Sequence, residues 1–240
     1  MTDYILSDGT RAKLMKVSTA SAATALYKRG LRNQFIQGVS PVNWKGVNMV
    51  GQAFTLRYIP AREDRNPIEV FRNADHPQRV AIETCPPGWI LVMDSRKDAR
   101  AASAGSILVT RLAVRGGAGI VSDGGFRDAE GIGLLDMPAY HQRPSAPTNL
   151  TLHEALDINV PISCGDAPVF PGDVLLGDGD GVIVIPAHLA DEIAAECAGM
   201  ESFEDFVLEQ VQQGARIIGL YPPTTEKAQA DYAEWRKKGL

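Results

Sequence analysis

The chain has 240 residues, 45% of them hydrophobic and 22% charged, with a formal net charge of −5. That is ordinary globular material, with apolar mass enough for a sizeable core. The acidic balance and the lack of a Lys/Arg block argue against a nucleic-acid partner, and no run of about 18 apolar residues exists to span a membrane.

The start, Met1-Thr-Asp-Tyr-Ile5, has no basic region ahead of an apolar run, so no secretory leader is read and the expectation is a soluble, cytoplasmic protein. Residues 10–27 read as one Ala/Ser/Thr-rich helix, with Thr10 as N-cap and Gly30 as stop. Residues 47–59 hold the β-branched and aromatic run Ala53 to Ile59, a strand. Residues 60–77, punctuated by Pro and Asn, read as a loop with at most a short helix.

The middle is more regular. Trp89 to Met93 is a short continuous apolar run, as in a strand buried on both faces. Residues 101–114 read as a helix ended by Gly116-Gly117, and Ala118 to Val121 as a second buried strand closed by Asp123-Gly124-Gly125. Strand, helix and strand form a βαβ unit with parallel strands. Met137 to Tyr140 is a short strand-like piece, after which His141-Gln142-Arg143 is a candidate specificity element.

Strands are expected at Asn159–Ser163, Asp173–Gly177 and Gly181–Ile185, the last two joined in a hairpin through Asp178-Gly179-Asp180. Residues 187–214 read as a long helix broken near Gly199, Tyr221-Pro-Pro223 as a stop, and residues 225–238 as a polar terminal helix. Cys85, Cys164 and Cys197 form no CxxC pair and are expected to be buried thiols. The four histidines have no metal-ligand spacing, and the Asp173/Asp178/Asp180 cluster misses the EF-hand spacing. One α/β domain is expected, with a core over about 19–214 and a C-terminal helical extension over about 215–240.

Ligands of open α/β sheets collect at the carboxyl ends of the parallel strands. Two turns therefore stand out, one near Gly105-Ser106 and one from Asp123 to Asp128, opening on the same sheet edge. Amides at a helix N-terminus attract an anion, and Gly105 lets a ligand approach the main chain. Arg127 offers a fork for a carboxylate, and Asp128 is a hard oxygen ligand suited to Mg²⁺ or Mn²⁺.

The runs Gly116-Gly117-Ala-Gly-Ile-Val-Ser-Asp123-Gly124-Gly-Phe-Arg127-Asp128 and Pro171-Gly172-Asp173 through Gly181-Val-Ile-Val-Ile-Pro186 resemble the family of the regulator of ribonuclease activity A. That family includes the 4-hydroxy-4-methyl-2-oxoglutarate/4-carboxy-4-hydroxy-2-oxoadipate aldolases. The resemblance implies an α/β/α domain of the swivelling phosphohistidine-domain type, with additional N- and C-terminal helices, assembled as a homotrimer or homohexamer. It implies that Arg127 binds the carboxylate of pyruvate, that Asp128 anchors a divalent metal, and that amides from Gly105, Ser106, Ile107 and Leu108 hold the substrate. It further implies that a glutamate of a neighbouring subunit supports the metal's waters, matched here to Glu204, with Glu201 close by.

Two departures matter. The family commonly has an acidic residue where Ser106 stands, linked in its aldolases to proton transfer, and an Asp-Ala-Leu run where Thr24-Ala25-Leu26 stands. The expected function is a metal-dependent lyase that releases pyruvate from a small 2-oxo acid, with Ser106 tilting the balance from aldol cleavage slightly towards decarboxylation, or towards a substrate that supplies its own proton acceptor. The alternative is a non-catalytic regulator that binds ribonuclease E. Methyl transfer to a quinone is discounted for want of a glycine-rich nucleotide loop.

Overall fold

A computed structural model describes residues 4–238. The chain opens with helices α1 (Asp8–Leu14) and α2 (Thr19–Lys28), then strands β1 (Ser40–Pro41) and β2 (Met49–Pro60). Helix α3 (Pro77–Thr84) leads into β3 (Trp89–Asp94) and β4 (Ala102–Ala104), followed by α4 (Ser106–Val114), β5 (Gly119–Ser122) and β6 (Gly125–Phe126). After α5 (Ala129–Gly133) come β7 (Ala139–His141), β8 (Arg143–Pro144), β9 (His153–Ile158), β10 (Ile162–Cys164) and β11 (Ala167–Val169). The hairpin β12 (Val174–Gly177) and β13 (Val182–Ile185) precedes α6 (Ala190–Gln212) and α7 (Glu226–Lys238).

Eight strands make the main sheet, in the order β1-β7-β5-β3-β2-β12-β13, with β9 also paired to β2. The centre, β2-β3-β5-β7, is parallel, and the expected β3-α4-β5 crossover is present. The twelve-residue β2 holds β3 on one edge; on the other it pairs antiparallel first with β12 and then with β9.

Side-chain alternation sets the layers. Leu91 and Met93 of β3 join a core with α3, α4 and α5, whereas Ile90 and Val92 point to the other face. In β13, Ile183 and Ile185 pack with α1, α2 and α6, and Val182 and Val184 face away. That second face is closed by the β10–β11 hairpin and strand residues, with no helical residue among the described members of its core. The fold is mixed α/β as expected, but the helices cover one face, so the expected helix–sheet–helix layering does not describe it.

Local differences have local causes. The helix expected over residues 10–27 is two: Ser7 and Ser18 accept from Thr10 and Ser21 amides as N-caps, and the chain turns between them. Ala102–Ala104 is a strand in a small separate sheet, β4-β6-β8, although alanine favours helix. Proline at the first position starts α3, so what reads as the end of a loop is the start of a helix. Helix α6 runs through Gly199 unbroken.

The three cysteines are buried free thiols, and Asp178 accepts from the Thr19 amide and hydroxyl as well as the Asp180 amide, which fits its reading as hairpin chemistry. Among the described residues no helix is long and apolar enough to cross a membrane.

Candidate functional site

The two turns singled out in the sequence do meet. Strand β6 lies parallel to β4, and the Arg127 amide donates to the Ala104 carbonyl at 3.0 Å, so Arg127-Asp128 is fixed beside the entry to α4. Gly105 is the N-cap of α4 and supplies no side-chain cap. The first helical bond runs from Val109 to the Gly105 carbonyl, which leaves the amides of Ser106, Ile107 and Leu108 without an intrahelical acceptor. A Cβ on Gly105 would stand 2.7 Å from Arg127 Cγ and 3.1 Å from Asp128 Oδ2, so glycine is what permits this approach.

Asp128 takes the left-handed conformation at φ 55° and ψ 38°, uncommon for a residue other than glycine. There its Oδ2 accepts from the Ser106 hydroxyl at 3.2 Å and, at a long 3.4 Å, from the Ser106 amide. Arg127 Nε stands 3.9 Å from the same oxygen, a distant pair between half-exposed groups, with 48% and 52% of their side chains accessible. No other carboxylate pairs with Arg127 among the described residues.

Beneath the turn, Phe126 is fully buried against the His141 ring at 5.5 Å. Burial pushes the His141 imidazole down to about 4, so it is neutral and belongs to the packing. Arg143 is exposed on β8, and Gln142 donates to the Lys97 carbonyl. The His141-Gln142-Arg143 stretch thus supports the site from below, and none of its members lines the cleft described next.

Asp123 is wholly buried and accepts from the amides of Ser95, Lys97 and Gly165. Burial raises its carboxyl to about 6, above the usual range, against the lowering effect of those three donors. Next to it the hydroxyls of Ser95, Ser103 and Ser122 close a triangle with sides of 2.6, 2.6 and 3.2 Å. These groups pin the small sheet to the main one below Arg127-Asp128.

The residues gather at a cleft of about 310 Å³, whose walls include Gly105, Ile107, Leu108, Arg127 and Asp128. The rest of its lining includes Phe71, Gln78 and Arg79, from α3 and the turn before it, together with Thr148 and Asn149. Sequence reasoning missed that part; the one available signal was proline followed by polar residues at a helix start. A second cleft of about 330 Å³ lies between residues 41–47 and 132–140. It is apolar, and its cation, Lys45, is committed to the Leu134 and Leu135 carbonyls and to Asp136.

Glu204 lies on α6, where it accepts from the Tyr221 hydroxyl at 2.8 Å, and it is not among the residues lining the Arg127 cleft of its own chain. Glu201 is occupied, accepting from the Ser18 amide and hydroxyl. Among the described residues no three potential metal-binding side chains cluster. One half-exposed carboxylate fits a cation such as Mg²⁺, which keeps several waters and takes few protein ligands. Both hydrogen bonds found at the Asp128 carboxylate fall on Oδ2, so its second oxygen is available to such an ion.

Comparison with known proteins gives three kinds of likeness. Residues 16–184 match the model of the RraA-like family, described as Aldolase/RraA. A protein of Halalkalibacterium halodurans described as "Putative 4-hydroxy-4-methyl-2-oxoglutarate aldolase" is 37% identical over 141 residues, 59% of this chain and 67% of that protein. Protein DlpA of Legionella pneumophila is 24% identical over 221 residues, 92% of this chain but only 33% of its own length. Among solved structures, Streptomyces coelicolor RraAS2, described as an unusual member of the RNase ES inhibitor RraA protein family, is 28% identical with a TM-score of 0.73. That likeness covers 84% of this chain and 96% of the other.

Proposed function

Because the chain belongs to the RraA-like family, we propose that it is a divalent-metal-dependent carbon–carbon lyase that releases pyruvate from a 2-oxo acid. The observation that supports this best is the meeting of Arg127, Asp128 and the uncapped amides of α4 at one cleft. The aldolase description of the H. halodurans relative supports the reaction class.

In this reading Arg127 grips the substrate carboxylate with two parallel bonds and sets the position of the scissile bond. The amides of Ile107 and Leu108 donate to the 2-oxo acid head, and the positive end of α4 favours its charge. Asp128 holds Mg²⁺ or Mn²⁺, and Glu204 of a neighbouring subunit in a homotrimer or homohexamer supports the ion's waters. Such an ion, when bound, would supply positive charge to offset the negative charge that develops on the keto oxygen.

Ser106 decides between two versions of the reaction. Retro-aldol cleavage needs a base for the substrate's hydroxyl proton, and a serine hydroxyl that donates to Asp128 cannot take one. Decarboxylation of oxaloacetate needs no such base: the C3–C4 bond breaks, carbon dioxide leaves, and the enolate of pyruvate takes a proton at C3. Decarboxylation is therefore favoured. Pyruvate release from oxaloacetate, dependent on Mg²⁺ or Mn²⁺ and lost in Arg127→Ala, tests the proposal; an unchanged rate in that variant would refute it.

A second reading, a protein regulator of a ribonuclease of the E type, draws on the RNase ES inhibitor description of the S. coelicolor relative. Co-purification with the ribonuclease, undiminished in Arg127→Ala and without pyruvate release, would favour it.

A further inference from the structure

We infer that Arg79 is a specificity-determining residue that takes a second anionic group of the substrate, so that the cleft selects 2-oxo dicarboxylates over monocarboxylates. This rests on the assignment of Arg127 to the 2-oxo acid head.

Two guanidiniums line the same cleft, Arg127 from the β6 turn and Arg79 from α3. Other arginines in this region are paired: Arg111 and Arg115 both reach Glu83, at 2.9 and 3.7 Å. Arg79 has no carboxylate partner among the described residues, and its Nη1 is buried with no hydrogen-bond acceptor. A buried guanidinium N–H without an acceptor is costly, and an arginine carries five donors and no acceptor of its own. Nη1 is closed off from the cleft, so the donors offered to a ligand there are the others of the guanidinium, and an anionic acceptor satisfies the most of them.

The position of Arg79 is also fixed in advance. Its guanidinium lies 4.3 Å from the centroid of the Phe71 ring, a cation–π contact that holds it in one plane. The preceding residue, Gln78, is buried and donates to the Ser103 carbonyl at 2.6 Å and to the Tyr58 hydroxyl at 3.2 Å. That ties α3 to β4, the strand that also positions Arg127 through the Ala104 carbonyl. Two planar cations lining one cleft of about 310 Å³ suit a small molecule with an acid at each end.

Calorimetric titration with Mg²⁺ present, using pyruvate, 2-oxoglutarate and 2-oxoadipate, tests this. The protein should bind at least one of the two diacids at least about ten-fold tighter than pyruvate. Arg79→Met should bring that ratio to within about two-fold of unity, and Arg79→Lys should restore part of it. A ratio near one in the natural protein, or a ratio kept in Arg79→Met, would overturn the inference; the latter would mark Arg79 as the partner of a carboxylate on another protein surface. Arg127→Ala tests the underlying assignment separately: affinity for pyruvate and for the diacids should fall together there, whatever Arg79→Met does to their ratio.

Discussion

The hydroxyl of Ser106 donates to Oδ2 of Asp128 at 3.2 Å, across the mouth of the helix that Gly105 caps. The serine thus fixes one carboxylate oxygen and leaves the other to a ligand.

Exchange of that serine should change the reaction more than the affinity. An aspartate at 106 stands beside Asp128, and the like charge raises the proton affinity of the pair, making a base available. The ratio of 4-hydroxy-4-methyl-2-oxoglutarate cleavage to oxaloacetate decarboxylation should rise about ten-fold or more in Ser106→Asp. Parallel assays of pyruvate release from the two substrates read this directly, and a constant ratio would count against the role given to Ser106.

Gly105→Ala should impair activity far more than folding. The added methyl meets Arg127 Cγ at 2.7 Å and must push that half-exposed side chain away. Misplacement by about 1 Å costs on the order of 100-fold in rate, whereas the arginine can swing outwards and limit the stability loss to about 1 kcal/mol. Comparison of kcat/KM with the midpoint of urea unfolding separates the two effects.

Asp123 should leave a signature in the pH dependence of stability. Its folded pKa, about 6, lies above the usual carboxylate value, so between about 4 and 6 the folded state binds the extra proton. The slope of unfolding free energy against pH is then negative: this group's contribution is full below the unfolded pKa and declines as pH rises through 6. Measured as a difference from Asp123→Asn, which cancels the other titrating groups, the natural protein should lose up to about 3 kcal/mol of relative stability between pH 4 and 7. A flat difference would show that the three amide donors, not burial, govern this carboxyl.

Glu204 offers a test of a site shared between subunits. It lines no part of its own chain's cleft, and its hydrogen-bond partner is Tyr221. If it serves a neighbour, Arg127→Ala and Glu204→Gln chains, each weakly active alone, should regain activity when unfolded and refolded together. Random mixing in a cyclic oligomer gives intact sites at about a quarter of the natural frequency. No recovery would place the function of Glu204 within its own chain.

Parts of this molecule can be read without coordinates, for definite physical reasons. Trp89 to Met93 and Ala118 to Val121 stand out because strands buried on both faces need unbroken apolar runs, and the Asp178-Gly179 turn announces its hairpin. The meeting of Gly105 with Arg127 follows from the parallel crossover between those strands. What could not be read was decided by contacts distant in sequence. Ala102–Ala104 is a strand because β6 supplies its hydrogen bonds, and Arg79 reaches the cleft because Gln78 ties α3 to Ser103, twenty-five positions away.

The triangle of Ser95, Ser103 and Ser122 has an evolutionary corollary. Each hydroxyl there serves two others, and Gly124 has no room for a side chain, since its Cβ would meet Ser103 Oγ and Ser95 Cβ at 2.7 Å. Loss of any single oxygen takes one of two partners from each neighbour in a dry interior. Descendants of this sequence should therefore keep small residues at these positions, and bulky replacements of any one of the three should be the variants that go missing.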